Sequence, residues 1–166
     1  MIRATLLRIA TRRPPDFIVG DNPDDPYLRR WWVIPRNDWF NIYLHQFLHS
    51  DDDRALHDHP YRWNVSWLLQ GHYLEWVPFE KRKHATRTVP GLPDPDAVAI
   101  TRSAGDVVAR WGASPHRIEL HRGPCWTLFI TGRRVREWGF ICPQGWRHWS
   151  VFTKRDAPGQ IGRGCE

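Results

Sequence analysis

An all-β barrel or two-sheet sandwich is the fold class this sequence predicts, and three observations predict it. Fourteen prolines and twelve glycines cut the 166 residues into short pieces. Between them lie β-branched and aromatic runs in alternation, the period of a half-buried strand. Strong helix signals are scarce. Roughly nine short antiparallel strands result, and closing them into a barrel or sandwich hides their edges.

The elements follow in chain order. "MIRATLLRIATRRPPDF" reads as an ordinary first strand or helix. It has neither the long apolar stretch nor the small-residue cleavage site of a signal peptide. "YLRRWWVIP" (27–35) and "WFNIYLHQFLHS" (39–50) form a hairpin about the turn "PRND". In the second run Ile42, Leu44, Gln46 and Leu48 share the core face. Tyr43, His45, Phe47 and His49 share the other, which either lines a cavity mouth or is half-exposed. "NVSWLLQ" and "HYLEWVP" flank Gly71 as a second hairpin. "AVAITRS" turns at "AGD" into "VVARW", and "HRIELH" turns at "RGP" into "CWTLFIT". "REWGFICPQGWRHW" reads as barrel wall and a capping loop, with His148 on the surface. The Pro-rich "FEKRKHATRTVPGLPDPDA" carries a long hairpin or loop between two halves of one domain. That domain is expected over residues 1–166, with its core at about 27–152 and a flexible tail at 153–166.

Composition narrows the partners. No run of 18 apolar residues exists, so no membrane-spanning helix is expected. The net charge is +6, but its basic residues are dispersed, with no block of five. Most of the eleven tryptophans lie in strand-like runs, where they serve as wall or core. The charge therefore suits solubility or an anionic small ligand better than nucleic acid. The three cysteines, Cys125, Cys142 and Cys165, are odd in number and widely spaced, with no CxxC pair. Reduced thiols and a cytoplasmic location are the expectation.

The chemistry concentrates in "HDHPYRWNVSWLLQG". On a strand His57 and His59 point the same way, about 7 Å apart along the backbone. Two such imidazoles can share a metal ion, which then needs a further ligand. The segment "GDVVARWGASPHRIEL" offers one at His116. The intervening Asp58 points to the opposite face.

These two segments resemble the motifs of the cupin superfamily. The first supplies His-x-His (His57, His59), four residues, Asn64, six residues and Gly71. The family usually has Glu where Asn64 stands. The second supplies Gly105, Trp111 in the Pro position, Ala113 in the Gly position, His116 at the ligand position and Leu120 for the final Asn. The resemblance implies a jelly-roll, or double-stranded β-helix, barrel. It also implies a metal held by His57, His59 and His116. Three imidazoles suit iron, zinc, nickel, copper or cobalt rather than magnesium or calcium. A divalent transition metal is expected, Fe(II) favoured, with zinc or nickel as the other choices. A three-His site without a carboxylate is also similar to the thiol dioxygenase branch of the cupins.

Around this centre Asn64 is a weak fourth ligand, a hydrogen-bond partner or plain barrel wall. Tyr43 and His45 are candidates from the preceding strand. Glu75 either supplies the missing carboxylate from elsewhere or is solvated. Arg62 and Arg110 could hold an anionic group of a ligand. Arg117 and Arg122 are weaker candidates, and Cys125 is expected to be buried and inert. The expected function is a metal-dependent small-molecule enzyme of the iron dioxygenase kind. The alternative is a non-catalytic cupin binding a small molecule or metal, and after it a nucleic-acid-binding β-barrel. A homodimer is compatible with each.

Overall fold

The computed structural model describes residues 2–20, 22–51, 55–78, 87–88, 97–154 and 162–166. In chain order its elements are α1 (Ile2–Arg12), β1 (Phe17–Val19), β2 (Leu28–Trp32), β3 (Asn41–Phe47), β4 (Leu56–His57), β5 (Trp63–Gln70), β6 (His72–Pro78), β7 (Arg87–Thr88), β8 (Ala97–Ser103), β9 (Val107–Trp111), β10 (Arg117–Glu119), β11 (Cys125–Thr131), β12 (Gly139–Cys142), β13 (Gly145–His148) and α2 (Trp149–Phe152).

Two walls face one another. The first is the antiparallel sheet β1-β2-β3-β11-β5-β9. The second joins two smaller sheets, β7-β8-β6-β10 and β4-β12-β13, through a bridge between His57 and His116. The space between the walls is filled where strands of both contribute inward residues. Leu28, Phe47, Leu68 and Cys125 of the first wall pack with Tyr73 and Ile118 of the second. This two-walled antiparallel arrangement is the jelly-roll that the motif spacing implied. The alternation in β3 holds with its faces exchanged: Tyr43, His45 and Phe47 are buried inward and line the cavity side, while Ile42, Leu44 and Gln46, expected as the core face, turn to the outside of the wall. Leu44 on the other face packs with Trp31, Leu69 and Leu6 of α1, so the helix covers the outside of the first wall.

Three expected connections differ. The β2–β3 hairpin forms, with Arg30 opposite His45. The strands around Gly71, however, do not pair with each other: β5 belongs to the first wall and β6 to the second. The same holds for β8 with β9 and for β10 with β11. Each expected hairpin is a corner where the chain changes walls. At Gly71 φ is +85°, a value cheap only for glycine, and an added Cβ would lie 2.9 Å from the carbonyl oxygen of Pro124.

The C-terminal end also corrects expectation. Cys142 and Cys165 form a disulfide, so two of the three thiols are not reduced. Gly162 N and Gly164 N both donate to the carbonyl of Phe152. The end of the tail is thus tied to the barrel by covalent and hydrogen bonds. Residues 155–161 of that tail lie outside the described residues. So does most of the Pro-rich connection, whose described part, β7, pairs with β8 as a hairpin would. No described helix is long and apolar enough to cross a membrane.

Candidate metal centre

Backbone pairing assembles the three histidines. His57 N donates to His116 O at 2.9 Å and His116 N to His57 O at 3.0 Å. Residues exchanging both bonds across an antiparallel pair present their side chains to the same side. His59 follows two residues on and is anchored by its N–H to Gly112 O at 2.8 Å. The ring centroids form a near-equilateral triangle, 5.3 Å for His57–His59 and 5.0 Å from each to His116. One ligand atom from each lies within 4.8 Å of the others. His59 Nε2 and His116 Nε2 are 3.4 Å apart. Among the described residues no carboxylate or thiol joins this group.

The electrostatics keep the imidazoles neutral. Burial pushes His59 and His116 well below the usual histidine range, and Arg110 and the neighbouring imidazoles push the same way. Burial also lowers His57, where Asp51 and Asp58 oppose it. A neutral ring keeps the lone pair that a metal requires. One outer nitrogen has a hydrogen-bond partner of the kind that orients ligands, and another faces a carboxylate beyond hydrogen-bond reach. His57 Nδ1 lies 3.8 Å from Asp51 Oδ2, and His116 Nδ1 lies 3.5 Å from Ser114 O. Asp51 is itself fixed, accepting from Ile118 N at 2.6 Å and from the Tyr27 hydroxyl. Asp58 points away, as its alternation requires, and accepts from Gly139 N and Arg136.

The triangle opens into a cavity of about 410 Å³ between the walls. Apolar side chains such as Phe129, Trp138 and Phe140 make much of its lining. Three arginines line it, Arg30, Arg110 and Arg134. Arg30 Nε donates to His45 Nε2 at 2.8 Å, and its guanidinium lies 5.0 Å over the Tyr43 ring. No carboxylate pairs with Arg30 among the described residues. The bond from Arg30 occupies the His45 lone pair, and burial, then Arg30, hold that imidazole well below the usual range. His45 thus belongs to the cavity wall and not to the histidine triangle.

The other candidates separate. Tyr43 is buried and stacks on His45. Glu75 is fully buried, not solvated, and is held by Arg102 and Arg110, so its carboxylate is already engaged. Arg110 reaches the histidine cavity, where Arg62 is exposed and lines nothing, because it alternates outward from Tyr61. Asn64 lines a different groove, along the open edge of β9. Arg117 is buried against Asp51 O and Glu119, and Cys125 is buried as expected. His148 is half-buried, caps α2 through Ser150 and contacts Glu137. Sequence reasoning missed Arg30 and Asp51. The inward alternation of "LRRWW" with "NIYLHQF" was the available signal for Arg30.

No protein-family model matches the sequence, and no curated protein matches it. Solved structures do. Oxalate decarboxylase from Bacillus subtilis superposes with a TM-score of 0.50 at 18% identity, over 81% of this chain and 31% of that one. A cupin superfamily protein from Desulfitobacterium hafniense gives 0.46 at 14% identity, over 70% and 83%. An HTH_3 family transcriptional regulator from Vibrio cholerae gives 0.43 at 13% identity, over 66% and 53%. This chain thus spans about a third of the decarboxylase and half of the regulator. At these identities the likeness is one of fold, a double-stranded β-helix, and does not extend to family or activity.

Proposed function

We propose, with the cupin-type fold as premise, that the protein is a small-molecule metalloenzyme whose ion is held by His57, His59 and His116. The observation that carries this reading is the triangle of neutral imidazoles, His116 buried and His57 and His59 half-buried, in the wall of a largely apolar cavity. Three nitrogen donors without a carboxylate fit a divalent first-row ion, Fe(II) favoured, with zinc or nickel as the other choices. A ferrous ion there would supply dioxygen binding at its open positions, the chemistry of a dioxygenase. The chain's own residues do the rest. Phe129, Trp138 and Phe140 exclude bulk water. Arg30 carries a buried positive charge that no carboxylate balances, which suits a substrate with a carboxylate or similar anionic group. The Asp51 carboxylate faces the His57 ring, 3.8 Å from Nδ1. The Cys142–Cys165 disulfide weighs against the reducing cytoplasm and favours an oxidising compartment.

The test is metal analysis of untagged protein, followed by oxygen uptake with candidate organic acids. One equivalent of metal is expected in the parent and little in His116→Ala, since two histidines from one segment cannot enclose an ion. His45→Ala should keep its metal. A full equivalent in His116→Ala would sink the site. Metal at one equivalent with no oxygen consumed would favour the non-catalytic reading.

A further inference from the structure

Where β8 of the second wall and β9 of the first run along the open side of the barrel, the walls part. A groove of about 620 Å³ lies in that seam. Arg110 is the one residue common to its lining and that of the histidine cavity. The floor is charged. Glu75 accepts from Arg102 Nε at 2.8 Å and from Arg110 Nε at 2.7 Å. One carboxylate against two guanidinium groups leaves one positive charge over. The Arg110 side chain is 7% exposed and that of Arg102 23%, so the surplus meets the groove at Arg102. The terminal nitrogens of Arg102 have no partner among the described residues.

Beside them Asn64 is 1% exposed, and neither its amide nitrogen nor its oxygen is hydrogen-bonded. Water cannot reach these atoms freely, and burying an amide unpaired is unfavourable. The remaining surface is apolar. Val77 and Ile100 come from the second wall. Trp63 and Trp111 pair across β5 and β9 at the lip, 37% and 67% exposed. Large aromatics left in water beside a buried charge mark a binding surface more than a finished core.

We propose that this seam binds a small organic acid with an apolar body. Its carboxylate rests on the outer nitrogens of Arg102, the more exposed of the two guanidinium groups. Its hydrocarbon lies along Val77 and Ile100, with Trp63 and Trp111 against it. The single surplus charge selects a monocarboxylate over a phosphate dianion. The site needs no metal, so it stands or falls apart from the histidine centre.

Titration calorimetry with octanoate, and with octan-1-ol as its uncharged counterpart, tests the assignment. Octanoate should bind one saturable site, at least tenfold more tightly than octan-1-ol. Arg102→Gln should weaken octanoate at least tenfold and leave octan-1-ol unchanged. Trp111→Ala should weaken both ligands severalfold, and its exposed position spares the fold. If Arg102→Gln does not fold, the Trp111→Ala result decides. Arg30→Gln, in the histidine cavity, should leave octanoate binding within twofold. No saturable binding, parental affinity in Arg102→Gln or in Trp111→Ala, or loss in Arg30→Gln instead would each overturn the proposal.

Discussion

Gly112 contacts no ligand, yet the histidine triangle is built on it. Its carbonyl accepts from His59 N, and its N–H donates to Arg62 O at 3.1 Å. A Cβ at this position would lie 1.6 Å from the carbonyl oxygen of Tyr61. The obstruction is backbone, which cannot swing aside as a side chain would. Gly112→Ala should therefore lose at least about 3 kcal/mol of stability, and metal with it. Denaturant unfolding beside metal analysis checks this, and parental stability would contradict it. Arg30 makes the opposite case. Its buried charge has one imidazole and an aromatic face for company. Exchanging a desolvated charge that no carboxylate balances for a hydrophobe of similar length removes a desolvation penalty and should not destabilise the fold. Arg30→Met should then melt no lower than the parent while weakening the binding of anionic ligands to the histidine cavity. A clear fall in melting temperature would mean that Arg30 holds the fold together. The histidines were legible in the sequence because their spacing is local and the motif offsets are fixed. Arg30 and Asp51 were not, because each meets its partners only through strand register.

Strands were easier to read than their connections. The β-branched and aromatic runs announced β2, β3, β5, β6, β8, β9 and β11, and the two faces of β3 followed from its alternation, though not which of them turns inward. The turns at Gly71, Gly105 and Gly123 misled, because a strand–glycine–strand pattern is common to a hairpin and to a corner between walls. Only the partners tell them apart. Gly71 abuts Pro124 and Cys125, and β5 finds its neighbours in β9 and β11. The disulfide was equally hidden, since an odd cysteine count and a polar tail do not place Cys165 against β12. Its effect can be estimated from the chain it closes. Cys142 and Cys165 are 23 residues apart, and the tail returns to Phe152 on the way. A loop of that length restricts the unfolded chain by about 3 kcal/mol. Unfolding with and without dithiothreitol should show a loss of that order, and Cys165→Ser should match the reduced protein. Identical midpoints in all three would mean that the bond contributes nothing to stability.

For the molecule as a whole, stability rests on the layer between the walls, and that layer holds two acidic groups that resist ionisation. Burial raises the Cys125 thiol to about 12, and Asp51 adds to the effect. Burial also raises the Tyr73 hydroxyl to about 12, with Arg110 opposing. Both stand in the cluster that joins Leu28, Phe47 and Leu68 to Ile118. The sign follows from proton counts. In the unfolded chain a thiol loses its proton near pH 9 and a tyrosine near pH 10. The folded protein keeps both to about pH 12, so it binds more protons across that window and stability falls as pH rises. The slope should be about 1.4 kcal/mol per pH unit above pH 9 and about twice that above pH 10. The loss by pH 12 would be about 7 kcal/mol, all of a margin at the low end of about 5–15 kcal/mol and about half of one at the high end. Urea midpoints at pH 8, 9.5 and 11 measure the slope. In Cys125→Ala the decline between pH 9 and 10 should vanish while the steeper part persists. A stability curve flat to pH 11 would mean that the layer between the walls admits water and leaves Cys125 and Tyr73 to titrate as they do in the unfolded chain.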